Sequence, residues 1–418
     1  MTGEIWVLGA TGRVGREAVE RLQQAGAEVV VAGRNRERLA KVSPDARVVT
    51  GSLDEVCARL ATEAPTVVIN TVGPFAVTAP QVARACPPGT HYVDVADELS
   101  AFELLHGMGR EAAATGRTLV SGAGFGVLAT ESILLHLLAG EEKPSRVRVD
   151  AVASVAIEPG ALGEALAATI VHALLDGGRE VRQGRMVRAR AGGAAERLTT
   201  PDGDVVTTAS LGGGELFAAW QASGAPSVIG ASALVPANPA VRAVLPAIGG
   251  VLRLPGLAGF ATRRLARITT TTAKERPRRS SWGRARVEWP SGRVREGSLR
   301  TGEGMTFTVG AVTEVAQRLA KGEGRPGAFT PARLFGPEVA LAAGAEFVVT
   351  DQKGSGCRRE GGHAQPARSD GFTAARLTSA EKESEPGRHR VTARHGPRTT
   401  MTTRPPRATD ERRPNVIN

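Results

Sequence analysis

Three glycines, Gly9, Gly12 and Gly15, stand between an apolar run, Ile5–Leu8, and an amphipathic stretch, Val14–Gln24. A strand, a glycine turn and a helix in that order build an anion site from backbone alone. The first glycine allows the tight turn, the second lets a pyrophosphate approach, and the third lets the helix pack closely. Thr11, Arg13 and Val14 fill the turn and the first helical positions, so Gly9, Thr11, Gly12, Arg13, Val14 and Gly15 are the expected phosphate-binding set. The spacing is GxxGxxG, a variant of the dinucleotide fingerprint.

The next strand ends in VVVAGRNRERL, with Arg34 where a site for an unphosphorylated ribose carries Asp or Glu. Arg34, assisted by Arg13 or Arg36, can pair with a 2′-phosphate, which predicts NADP as the cofactor. A fourth strand ends in VVINTVGPF. Asn70, Thr71, Val72 and Gly73 are placed at the carboxyl edge of the sheet, where ligands of such sheets bind. Phe75 and Phe125 are expected to wall the substrate pocket.

Other chemistries find little support. Tyr-x-x-x-Lys catalysis is excluded because the one tyrosine, Tyr92, is followed four residues on by Ala96. Cys57, Cys86 and Cys357 show no metal-ligand spacing, so neither a metal site nor a disulfide framework is expected. Asp94 is the one candidate for moving a proton, and a structural role for it stands equally open. Asp97 and Glu98 are read as stabilising the start of the next helix.

The elements that position these residues follow from periodicity. Strands are predicted at Ile5–Leu8, Glu28–Ala32, Ala46–Val49, Thr66–Asn70, Tyr92–Val95 and Thr118–Val120, with helices between them. One helix is predicted to start near Ser100, capped by a Ser100–Glu103 box. After about Glu131 the alternation stops. A strand over Arg146–Ile157, a helix over Ala161–Leu175 and polar alternating stretches indicate an antiparallel sheet, and Val312–Lys321 reads as a late helix. The fold class is α/β: an N-terminal Rossmann-type doubly wound parallel sheet, a second α+β domain, and a disordered C-terminal tail. The expected limits are 1–125 for the NADP-binding domain, 126–351 for a substrate and dimerisation domain, and 352–418 for the tail. Residues 326–351 form a segment able to return to the first domain.

The net charge of +11 invites a nucleic-acid reading until it is located. Residues 352–418 carry 14 Lys and Arg against 7 Asp and Glu, so most of the excess lies in a segment poor in apolar residues. No nucleic-acid partner is expected. The apolar stretch Val241–Ile268 is broken by five arginines and by prolines, so it is not a membrane span. It reads as a lid, as a buried helix pair, or as a peripheral contact with lipid. With no leader pattern, a cytoplasmic protein is expected.

VVINTVGPF at 67–75, HYVDVADE at 91–98 and GAGFGVLATE at 122–131, in that order after the glycine turn, resemble the saccharopine dehydrogenase-like reductase family. The family includes trans-acting enoyl reductase-type members. PGAFTPARLFGPEVALAAG at 326–344 is similar to its C-terminal element. The resemblance spans roughly residues 3–350 and implies hydride transfer between NADP(H) and a C=N or C=C bond of a small-molecule substrate. One departure is Asp97, which stands where the family carries glycine before the glutamate. The alternative is a non-catalytic NADP-binding sensor or scaffold.

Overall fold

Short runs of β-branched residues, each followed by a helix that buries one face, build the first sheet. The computed structural model describes residues 3–156, 160–161, 164–270 and 276–348; the basic 352–418 segment and Cys357 lie outside the described residues. In chain order the elements are β1 (Ile5–Leu8), α1 (Arg13–Gln24), β2 (Val29–Gly33), α2 (Arg36–Val42), β3 (Arg47–Thr50), α3 (Leu53–Glu63) and β4 (Val67–Asn70). They continue as α4 (Phe75–Ala85), β5 (His91–Asp94), α5 (Leu99–Gly107), α6 (Gly109–Ala114), β6 (Thr118–Val120) and α7 (Phe125–Leu138). The strands lie parallel in the order β3-β2-β1-β4-β5-β6, the doubly wound Rossmann arrangement. Strand Gly327–Phe329 returns from the far end of the chain to pair with β6. Leu8 registers with Ala32 and Asn70, and Asn70 with Asp94, so the strand ends lie level along one carboxyl edge.

Local chemistry agrees with most of these elements. Helix α1 buries Gly15, Ala18, Val19 and Leu22 against the sheet. The Ser100 capping box does not form. Helix α5 starts at Leu99 with Glu98 as its N-cap, and the Ser100 hydroxyl points instead to Asp176 at 3.4 Å. A box does form at Ser52 and Glu55 ahead of α3, with both reciprocal bonds present. The late helix begins two turns earlier than its apolar periodicity shows. It runs over Gly304–Ala320, because the Glu303 side chain caps the amide of Thr306.

The second sheet is mixed. Strand β7 (Arg146–Val152) lies at its centre, between Ser227–Ser232, which is parallel to it, and Ser281–Glu288, which is antiparallel. Val294–Thr301 and Glu346–Val348 extend one side; Gly178–Arg182 and Arg185–Ala189 extend the other. Asp150 on β7 is fully buried between Arg148 and Arg284, each 2.8 Å away, and also accepts from the Thr208 hydroxyl at 2.7 Å. Glu196 pairs with both arginines and Glu296 with Arg284, so three carboxylates surround the two guanidiniums.

Helix α7 joins the two sheets. It is apolar on nearly every side and buried on nearly every side, as a helix between two layers must be. A side chain at Gly283 would sit 2.7 Å from the Ala129 backbone, so α7 lies directly on the second sheet. One continuous core runs from Val7 and Ile69 through Leu128 and Ile133 to Val149 and Leu299, and both sheets fall within one compact unit.

Candidate functional site

The turn after β1 has the geometry of an anion cradle. Gly9 has φ +79°, a conformation that L side chains resist, and a Cβ there would meet the Thr71 hydroxyl at 2.6 Å. A Cβ on Gly15 would lie 2.4 Å from the Gly9 carbonyl. The Gly12 amide donates to that carbonyl at 2.9 Å, closing the turn. Gly12 is the N-cap of α1, is exposed, and brings no side-chain cap to the first helical turn. The amides of that turn and the positive end of the helix therefore face outward, as a bound pyrophosphate requires. Thr11 is exposed beside them and Val14 is half-buried.

At the end of β2 the Arg34 and Arg36 side chains are exposed, and the Asn35 side chain caps α2 by accepting from the Arg38 amide at 2.9 Å. No carboxylate stands before Glu37. Arg13 does not join this pair. Its guanidinium donates to the Ala156 carbonyl at 3.1 Å and to Glu303 at 3.3 Å, so the first turn of α1 is tied toward the second sheet.

The ends of β4, β5 and β6 are locked by a buried polar chain. The Asn70 side chain accepts from the Val72 amide and donates to Tyr92 at 3.0 Å and to Thr78 at 3.3 Å. Tyr92 donates to Asp94 Oδ2 at 2.9 Å. Asp94 Oδ1 accepts from the amides of Ala96 and Gly122 and from the Ser121 hydroxyl. Burial pushes the Asp94 carboxyl up to about 6 against the pull of these donors, and burial raises the Tyr92 phenol as well. Asn70 and Asp94 are both 0% exposed. They hold the turns that follow their strands, and their side chains offer no atom to a ligand. Thr71, whose hydroxyl donates to the Leu8 carbonyl at 2.8 Å, is partly open, as are Val72 and Gly73. These three line the edge beside Gly9.

Phe75 and Phe125 are core residues at the rims of their helices, each 7% exposed. They belong to the apolar clusters on opposite faces of the sheet, and Phe125 meets Phe307 edge-on with ring centroids 6.2 Å apart. The Phe125 amide donates to Thr308 at 3.1 Å.

Three carboxyl groups meet where the post-strand turns converge. The buried Glu98 accepts from the Phe75 amide, the first residue of α4. Asp97, which is solvent-accessible, accepts from the Gly214 amide at 3.3 Å. Gly214 opens helix Gly214–Ser223, and the buried Glu215 of that helix lies close to Asp97, both carboxyl groups standing against Gly213. Glu215 also fills the space beside Gly126, where a Cβ would lie 2.4 Å from its carboxylate. Asp97 and Glu98 stand at the start of α5, but their side chains bond to the starts of Gly214–Ser223 and α4 and make no cap bond to α5. Repulsion from Glu215 and Glu98 raises the Asp97 carboxyl above its ordinary range although the residue keeps solvent contact; burial raises Glu215. Glu215 was not visible as a site residue from its spacing, although the glycine run Gly212–Gly214 before it marks a close approach. Beside Arg13, an open depression of about 790 Å³ is lined by Ala156, Asp202, Asp204, Arg276, Arg278 and Glu303, among others. Among the described residues no group of His, Cys, Asp and Glu has the arrangement of a metal site.

Comparison with known proteins places the first sheet. Residues 5–120 match the family model described as the saccharopine dehydrogenase NADP binding domain, so this part of the chain is similar to that NADP-binding domain. No curated protein matches the sequence. Among solved structures, apo saccharopine dehydrogenase (L-Glu forming) from Saccharomyces cerevisiae superposes with a TM-score of 0.53 at 14% identity, covering 83% of this chain and 100% of the yeast chain. The shared fold therefore extends beyond the Rossmann sheet. A short-chain dehydrogenase from Streptomyces avermitilis (19% identity, TM-score 0.25) and serine dehydrogenase from Escherichia coli (16%, TM-score 0.25) each cover 28% of this chain, and 62% and 80% of their own.

Proposed function

We propose that this chain is an NADP(H)-dependent oxidoreductase that moves hydride to or from a C=N or C=C bond of a small-molecule substrate. One observation carries the reading. Asp97 accepts from the Gly214 amide, Glu98 from the first residue of α4, and Glu215 lies beside Gly126 of α7, so a cluster of three carboxyl groups stands past the ends of β4, β5 and β6, at the same edge as the uncapped helix start at Gly12. NADPH bound along that edge supplies hydride from its reduced nicotinamide.

The chain's own residues do the rest. The α1 amides would take the pyrophosphate, Arg34 would pair with the 2′-phosphate, and the Thr71–Gly73 backbone would face the ribose. Asp97 holds its proton above the ordinary carboxylate range because ionising it would add a further negative charge beside buried Glu215 and Glu98. It is the proton source in the reducing direction: hydride goes to the substrate carbon, and the Asp97 proton goes to the nitrogen or carbon at the other end of the double bond. Asp94, saturated by four donors, is assigned to the scaffold.

The test is transfer from NADPH carrying deuterium at the nicotinamide C4, offered with a panel of imines and enoyl thioesters. Deuterium in a reduced product supports the reading. Tight NADPH binding with no transfer to any member would favour a sensor in its place.

A further inference from the structure

The helix pair Pro239–Leu252 and Leu257–Ala266 wears its apolar face outward. Val241, Val244, Ile248 and Val251 recur at helical spacing on one side of the first helix, and every one is between 41% and 54% exposed. The only buried residue of that helix is Gly249, on the opposite side, against the Leu174 carbonyl. The second helix has no buried residue at all, and Leu254, Phe260 and Ile268 extend the apolar surface. A core helix would turn these side chains inward. The pair bends by 119°, and its longer member spans only about 21 Å, too short to cross a bilayer.

Charge identifies the occupant. From Leu216 to Lys274 the sequence holds no Asp or Glu, and the helix pair with its flanks carries Arg242, Arg253, Arg263, Arg264 and Arg267. Arg263, Arg264 and Arg267 follow Phe260 at three, four and seven positions, so cations border the exposed apolar surface on one helix side. A second copy of this face would set arginine against arginine. The chain's own 352–418 segment, with 14 basic and 7 acidic side chains, carries the same sign. A surface that is apolar inside and anionic at its rim fits both features: the headgroup and upper acyl layer of an anionic bilayer.

We infer that helices Pro239–Leu252 and Leu257–Ala266 dock the protein on an anionic membrane surface. Val244, Leu254 and Phe260 enter the acyl boundary, and the arginines of the second helix bind headgroup phosphates. The full chain should float with vesicles of equal parts phosphatidylglycerol and phosphatidylcholine, and bind pure phosphatidylcholine at least about tenfold more weakly. High salt should weaken the anionic case. Two double variants, Val244→Ser with Phe260→Ser, and Arg263→Glu with Arg264→Glu, should each lose most of the vesicle binding while titrating NADPH unchanged. That last readout shows the variants are folded and keeps this inference separate from the catalytic reading. Three outcomes overturn it: no flotation of the unaltered chain, flotation that persists in both variants and so arises elsewhere, or a dimer in solution that the serine variant splits.

Discussion

The guanidinium of Arg13 lies 3.3 Å from the Glu303 carboxylate, joining the phosphate turn to the start of helix Gly304–Ala320. Glu303 also accepts from the Thr306 amide at 2.7 Å and from the Ala156 amide at 3.1 Å. One side chain therefore fixes the first turn of α1, the segment after β7 and a helix of the far half of the chain. Cofactor geometry at α1 depends on a residue almost 300 positions away.

Glu303→Ala should cost about 1–3 kcal/mol, because a helix cap and a partly buried ion pair are lost together. Glu303→Gln keeps an acceptor for Thr306 and should lose less. Urea unfolding of the three proteins measures both, and an alanine variant as stable as the parent would dismiss the linkage.

Arg34 is exposed at the end of β2 with no acid before Glu37. Arg34→Asp should weaken NADPH binding by on the order of 1–3 kcal/mol, the worth of a hydrogen bond to a charged group, and should favour NADH. Fluorescence titration of both cofactors decides it. If the unaltered protein holds NADH as tightly as NADPH, Arg34 has no role in the choice.

Gly12 has extended backbone angles that any residue can adopt, and a Cβ there would meet only the Gly9 carbonyl, at 3.3 Å. Gly12→Val should therefore fold with a melting temperature near that of the parent. The added methyls should occupy the space over the α1 amides and abolish NADPH binding. Normal binding by a folded variant would mean the pyrophosphate lies elsewhere.

What the sequence made legible was local. The glycine turn, the six strands and α1 depend on neighbours within about 20 residues, and each is in place. The failures share one cause: partners distant in the chain. Ser100 left its expected box for Asp176, 76 residues on, and Arg13 left Arg34 for Glu303. Asp94 stood equally open to moving a proton or to a structural role, and the enclosure by Tyr92 and the turn after β6 favours the structural one. Glu215 is brought to Asp97 by the second sheet, and no spacing within either segment announces the meeting. Exposed Val244 and Phe260 lie in a stretch whose apolar composition was plain, but composition alone does not say which face turns outward.

Buried Glu131 on α7 caps the segment that starts at Pro331, accepting from the Thr330 hydroxyl and from the Ala332 amide at 2.9 Å. Burial pushes its carboxyl up to about 7 from an ordinary 4.5. A raised acid gives stability that is fully present below pH 4.5 and is lost as pH rises through 7, by about 3 kcal/mol for such a shift. Buried Asp94, at about 6, adds a loss of the same sign over a lower window. Stability measured by urea should fall between about pH 4 and 7, and Glu131→Gln should flatten the upper part of that fall. Should the variant keep the full slope, Glu131 is ionised throughout.

The remaining prediction concerns the proton at Asp97. Its carboxyl is raised by Glu215 and Glu98, so it holds its proton above the usual carboxylate range. The protonated form is the one that can complete reduction, so turnover in the reducing direction should fall as pH rises through the Asp97 value. Asp97→Asn should lower turnover by roughly a hundredfold or more, the usual worth of a positioned acid, with NADPH affinity unchanged. Glu215→Gln discriminates further. It removes the nearest opposing charge, so Asp97 should ionise more easily and the alkaline limb of the pH–rate profile should move to lower pH. A merely structural Asp97 would lower stability in both variants without moving that limb. If the limb stays in place when Glu215 is neutralised, the proton comes from another group.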